Sequence, residues 1–255
     1  MSIRMAAVAL PIINDFTQAN GVFEFYIESA RLENCDLIIF PEAIIGGIEL
    51  SGNFTIDKNM AHELDCPLIK MIRELASKYT IGIGFGFLEL LEDTIYDSYM
   101  LINDTGETIL HYRRISNTWL PRDIDFAHYA CGDDLTVVDT AYGRIGVLLC
   151  GDLFDEDITK NLKFKKPDLL LHPMSRAFPL ANDMQEKWDD TEFPYYLAEY
   201  RKLKINTLTC NALDLVQHEP NIYCGGAWFV KKNEVVNCLP LLTEGILIVE
   251  NSIVI

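Results

Sequence analysis

Apolar and polar positions follow two rhythms along this chain, and the places where the rhythm changes mark the elements. Short runs that are apolar throughout, at 5–10, 36–40, 81–90, 95–103, 144–149 and 168–172, predict strands covered on both faces. Longer stretches with apolar residues three and four apart, at 16–32, 62–79, around 156–165 and around 184–203, predict helices. Thr105-Gly106 turns the 95–103 run back into 107–113, which predicts a hairpin. Further strands are predicted near 205–210, 224–230 and 246–250. The order β-α-β-α-β-β is that of a layered α/β protein. No repeat, low-complexity run or Pro/Gly/Ser linker divides residues 1–255, so one domain is expected.

In open α/β sheets, ligands bind beyond the carboxyl ends of the strands. Three predicted ends carry suggestive residues. The 36–40 run leads into Pro41-Glu42, the 144–149 run into Cys150-Gly151-Asp152, and the 168–172 run into Pro173-Met174-Ser175. A carboxylate and a thiol on neighbouring strand tips can meet in one pocket.

Composition narrows the partners. With 49% hydrophobic residues over 255 positions, the chain can bury a large core. A formal charge of −17, from 38 acids against 21 bases, repels phosphate backbones and anionic head groups. Nucleic acid and membrane are therefore not expected as partners, and a small-molecule substrate is. Arg4 precedes an apolar run, but that run is shorter than a signal-peptide core and no cleavage motif follows, so it reads as a buried first strand. Seven cysteines, odd in number, scattered and never in a CxxC pair, fit reduced thiols in a cytoplasm. The five histidines lie far apart and none pairs with a cysteine at ligand spacing, so no metal site is expected.

Three positions carry candidate chemistry. Cys150 sits between a strand and a helix that Asp155 would cap. A turn facing a helix N-terminus favours thiolate formation, whereas Asp152, Asp155, Glu156 and Asp157 oppose it. The same residue could equally be one more buried cysteine. Glu42 follows a buried strand and a proline, a costly place for a carboxylate unless it is paired or working as a base. It could also be a solvated loop acid, and Asp152 reads as an ordinary loop-end residue. Arg113-Arg114 end the hairpin, where a cation could stabilise an oxyanion or simply be solvated. A Cys-His pair using His172 is a further option, although packing is the commoner role of a histidine at a strand end.

Taken in order, these residues resemble the nitrilase, or carbon–nitrogen hydrolase, superfamily. The resemblance is carried by Phe40-Pro41-Glu42, then Gly106-Glu107 with Tyr112-Arg113-Arg114, then the run from Gly143 to Cys150 and Asp152. Further matches are 167–175, Trp188, Asn211 and Gly225-Gly226. The resemblance implies an αββα sandwich whose protomers pair into a homodimer or higher homo-oligomer. It implies hydrolysis of nitriles, amides or N-carbamoyl compounds without a cofactor, through a Cys-Glu-Lys triad. Cys150 would be the nucleophile, Glu42 the general base and Arg114 the occupant of the lysine position. The N–H of Gly151 would help hold the oxyanion. Asp125 would stand for a second pocket glutamate, and Ser175 would line the substrate site.

The departures concern Arg114 most. No lysine lies between Lys78 and Lys160 to replace the family's lysine. Arginine keeps the positive charge but cannot release a proton near neutral pH. Its fork is expected to clamp Glu42 with two prongs and lower its pKa. The segment 151–157 lacks the family's Arg, Pro and later Glu, and Ala227 replaces a serine. Two functions follow as expectations: hydrolysis of a small amide or carbamoyl compound through a cysteine thioester, or a catalytically impaired relative that binds a ligand or partner. Tyr195, Tyr196 and Trp188 are either pocket walls or core.

Overall fold

The computed structural model describes residues 2–121, 124, 126–214 and 221–252. The first sheet holds β1 (Ser2–Ala9), β2 (Leu37–Ile39), β3 (Gly82–Leu91), β4 (Thr94–Ile102) and β5 (Thr108–Arg113). The second holds β6 (Val137–Thr140), β7 (Gly143–Val147) and β8 (Leu169–Met174). Beyond them β9 (Ala177–Pro179) pairs with β11 (Asn221–Tyr223), while β10 (Asn206–Asn211), β12 (Ala227–Lys231) and β13 (Glu234–Leu239) complete the second sheet. The last strand, β14 (Gly245–Ser252), returns to the first. The sheet orders are β14-β1-β2-β3-β4-β5 and β13-β12-β10-β8-β7-β6. Each is parallel at its centre and antiparallel toward its edges.

The inner faces of the sheets form one core, in which Met5, Ala7, Leu37, Ile39 and Tyr99 meet Ile145, Val147, Leu171, Leu208 and Phe229. Helices α1 (Phe16–Leu32) and α3 (Pro67–Tyr79) cover the first sheet's outer face through Phe23, Ile27, Ile69 and Ile72. A short turn of helix, α2 (Phe54–Asp57), lies between them in the chain. On the second sheet α4 (Glu156–Lys165) contributes Ile158 and Leu162. After the single turn α5 (Met184–Lys187), α6 (Phe193–Leu203) adds Tyr196, Tyr200 and Leu203. These are the layers of an αββα sandwich. Burial on both faces explains why the central strands are apolar throughout.

Local chemistry sets the boundaries. Asp15 caps α1 by accepting from the N–H of Thr17, and Asp155 caps α4 through the N–H groups of Asp157 and Ile158. The helix expected from residue 62 starts at Pro67, because His62 instead bridges to Glu89 beside β3. The helix expected over 184–203 is interrupted by a π turn, Trp188–Glu192. The strand expected from 224 begins at Ala227, since Gly225 and Gly226 both adopt positive φ. Strand β13 is exposed along nearly its whole length, so it offers no buried pattern to read.

Candidate active site

Glu42 follows β2 and Cys150 follows β7, so the two tips belong to different sheets and meet across the sandwich, not along one sheet. Both line a cavity of about 600 Å3 together with Arg114, Gly151 and Ser175. Asp125 lies outside the described residues.

Glu42 is fully buried and every oxygen of it is held. Arg114 Nη1 donates to Oε1 at 2.9 Å, the Ser175 N–H donates to Oε2 at 2.6 Å, and the Ser175 hydroxyl donates to the Glu42 carbonyl at 2.5 Å. Ser175 thus lines the cavity with its donors directed at Glu42. The Ser175 N–H also favours the Cys150 thiolate, against the burial of the thiol. Strand β3 passes so close to Glu42 that only glycine fits at Gly86. A Cβ there would lie 2.6 Å from the Glu42 Cα.

Arg114 does not clamp Glu42 with two prongs. Nη1 reaches Glu42 and, at 3.5 Å, Asp97 Oδ2; Nη2 donates to Thr118 Oγ1 at 2.6 Å and Nε to Ser116 Oγ at 3.1 Å. The expected lowering of the Glu42 pKa is also absent. Burial pushes it upward, and the opposing effects of Arg114, an Asp97 hydrogen bond and the Ser175 N–H do not cancel that. Burial and the charge of Glu42 hold Asp97 well above the usual carboxylate range. Asp97 favours the ionised form of Glu42, whereas Glu42 disfavours the ionised form of Asp97. Gly151 leaves room for this arrangement, since a Cβ there would collide with Thr118 Oγ1 and Arg114 Nη2.

Cys150 opens the one-turn helix Cys150–Phe154 with φ +39°, a strained value for a residue with a side chain. Two contacts maintain it. His172 Nε2 donates to the Cys150 carbonyl at 2.9 Å, and Asp152 accepts from the Leu149 N–H. Asp152 is no loop-end acid: it is fully buried and also accepts from the Tyr112 hydroxyl at 2.6 Å and the Ser116 N–H at 2.7 Å. Burial, reinforced by the charge of Glu42, pushes the Cys150 thiol up to about 12, against the pull of Arg114 and the Ser175 N–H. The thiol is therefore protonated at rest and needs a base. The acids that raise it, Glu42 and Asp97, come from the opposite sheet.

His172 faces the carbonyl of Cys150, while its Nδ1 pairs with the Tyr200 hydroxyl at 2.7 Å. Burial lowers its pKa to about 4, so it stays neutral. A Cys-His pair has no geometric support. Arg113 turns to the other face of β5 and binds Glu89. Tyr195 and Tyr196 line the cavity, whereas Trp188 is core, stacked on Trp228 at 5.5 Å. Sequence reasoning missed Asp97, Thr118, Arg176 and Glu192. Only Asp97 left a readable signal, as an acid inside an otherwise apolar strand run.

A carbon-nitrogen hydrolase family model matches residues 4–231. A probable nitrilase of Schizosaccharomyces pombe is 30% identical over 190 residues, covering 73% of this chain and 65% of its own length. The bromoxynil-specific nitrilase of Klebsiella pneumoniae is 30% identical over 139 residues, covering 49% and 38%. The chain thus spans about two-thirds or less of the length of these relatives. Among solved structures, a CN-hydrolase superfamily protein of Xanthomonas campestris has TM-score 0.78 at 17% identity, over 99% of this chain and 91% of its own. An amidase of Nesterenkonia has TM-score 0.74 at 16% identity, over 98% and 90%. These likenesses establish the sandwich fold, and the match along the sequence establishes membership: the chain belongs to the carbon-nitrogen hydrolase family.

Proposed function

We propose that this protein hydrolyses a non-peptide C–N bond in a small amide or N-carbamoyl compound through a thioester on Cys150. The observation that carries the reading is one cavity lined by Glu42, Arg114, Cys150 and Ser175, in which the Ser175 N–H fixes the buried Glu42 carboxylate at 2.6 Å. It holds a buried base beside a protonated nucleophile. In the first half-reaction Glu42 takes the thiol proton as sulfur adds to the carbonyl carbon. The C–N bond then breaks and the proton passes from Glu42 to the leaving nitrogen. In the second, Glu42 takes a proton from water as the water oxygen adds to the thioester, and C–S cleavage restores the thiol and releases the acid. The Gly151 N–H and the Arg114 cation support the oxyanion. Burial raises the Glu42 pKa toward the range a base needs, while Arg114, Asp97 and the Ser175 N–H favour its ionised form.

A catalytically silent, ligand-binding relative is the second reading. It draws on one observation: the Arg114 guanidinium is engaged by Glu42, Asp97, Ser116 and Thr118 and has no proton to give. Ammonia release from a panel of amides, carbamoyl compounds and nitriles decides between them. Release by the wild type, with none from Cys150→Ala and an acyl adduct on the wild-type peptide containing Cys150, is the expected result. Equal release by both proteins would exclude the thioester route.

A further inference from the structure

We infer that Arg176 reads a carboxylate on the substrate, so that the compound cleaved is a monoamide or N-carbamoyl derivative with a free acid group remote from the scissile carbonyl. This deepens the hydrolase reading above and rests on it for the position of the reacting carbon.

Two guanidinium groups line the cavity. Arg114 is engaged by protein oxygens through all three nitrogens. Arg176 engages only Nη2, which donates to Glu192 Oε2 at 3.0 Å; Nε and Nη1 have no acceptor among the described residues. The backbone of Arg176 is fixed firmly. Its N–H donates to Asn211 Oδ1 at 2.7 Å, and its carbonyl accepts from Asn211 Nδ2 at 3.1 Å and from the Cys224 thiol at 3.5 Å. Asn211 is itself fully buried. The residue directly before Arg176 is Ser175, whose N–H donates to Glu42, and Arg176 lines the same cavity as Cys150. The backbone that carries this cation is thus fixed directly after the residue that holds Glu42.

Glu192 orients that cation. It closes the π turn Trp188–Glu192, a helix irregularity found mostly at functional sites. Of the other two acids of the cavity wall, Glu42 is held by Arg114 and Ser175, and Glu49 is exposed and accepts from the Tyr223 hydroxyl at 2.6 Å. The cavity wall also includes Phe154, Tyr196 and Ala177, which offer no charge to a substrate. The group in the cavity with unmet donors is therefore a planar fork, whose complement is a carboxylate held by two parallel hydrogen bonds.

Two measurements test this, one of which does not require turnover. In the first, kcat/KM is compared for succinamate and its uncharged methyl ester with wild type, Arg176→Gln and Arg176→Lys. Loss of a charged hydrogen-bonded pair is expected to lower the succinamate value about 10- to 100-fold in Arg176→Gln, with the ester changed less than about threefold. Arg176→Lys is expected to recover part of the succinamate preference. In the second, alkylation of Cys150 by iodoacetate and by iodoacetamide is followed by peptide mass spectrometry. The ratio of the two rates is expected to fall by a similar factor of about 10 in Arg176→Gln. Equal losses for both members of each probe pair, or no loss, would overturn the inference. If no amide is turned over yet the alkylation ratio falls, carboxylate recognition stands and the hydrolase reading fails.

Discussion

Arg113 and Arg114 are neighbours in sequence, yet they build two ion clusters of opposite character on the two faces of one strand end. Arg113 binds Glu89 with two prongs, Nε to Oε2 at 2.9 Å and Nη2 to Oε1 at 2.5 Å, and lies 4.0 Å over the Tyr96 ring. Ser98 and His111 also bond that carboxylate. Burial pushes the Glu89 pKa up, but these partners overcome it and bring the value down to about 2. Arg114 faces two carboxyls with one nitrogen, and both stand above their ordinary values. One cluster is saturated with donors and closed to chemistry. The other is short of donors and opens onto a cavity. Donor supply, and not burial alone, separates a structural carboxylate from one able to take a proton.

Replacing the two glutamates tests this contrast most sharply. Glu42→Gln removes the base and is expected to lower turnover about 10²- to 10⁴-fold with little loss of fold. Glu89→Gln should do the reverse, costing about 3 kcal/mol of stability by stranding Arg113 while leaving kcat of the folded protein near wild type. Urea unfolding and steady-state kinetics on both variants separate the effects; a Glu89→Gln enzyme that is stable but slow would break the contrast. The pH dependence follows from the sign of the Glu89 shift. Its carboxyl is depressed on folding, so its contribution is complete above the ordinary value of 4.5 and is lost as pH falls toward about 2. Acid unfolding of Glu89→Gln should therefore be shallower through that window.

Asp97 is expected to give a smaller effect of opposite sign. Its carboxyl is raised on folding, so the protein loses stability as pH rises above the ordinary value of 3.8 toward the folded one. Asp97→Asn removes that loss and should stabilise the protein at pH 8 relative to wild type. The same substitution should alter the pH profile of turnover, because the amide cannot exchange a proton with Glu42. A profile identical to wild type would reduce Asp97 to a packing residue.

Much of the fold was legible because its central strands are buried on both faces and its helices have clear caps, as at Asp15 and Asp155. The exposed strand β13 and the π turn at 188–192 were not, since neither leaves a periodic trace. Glu42, Arg114 and Cys150 were legible as strand-end residues in a resembling order, and the structure brings them to one cavity. Their proton states were not. Glu42 is raised by its burial in the folded sandwich and pulled back in part by Asp97, which lies 55 positions away and is brought near through the pairing of β3 with β4. The role of Asp152 was hidden for the same reason, because its partners Tyr112 and Ser116 come from the other end of the hairpin.

The central claim is that arginine at position 114 supports chemistry instead of switching it off. Ammonia release by the wild type and by Arg114→Lys, on the same amide and at the same pH, tests it most directly. Clear turnover by the wild type, with Arg114→Lys no better than its equal, is the predicted result, since Ser116, Thr118 and Gly151 are built around a guanidinium. A silent wild type that gains activity on Arg114→Lys would contradict the account and mark the protein as a hydrolase scaffold that only binds.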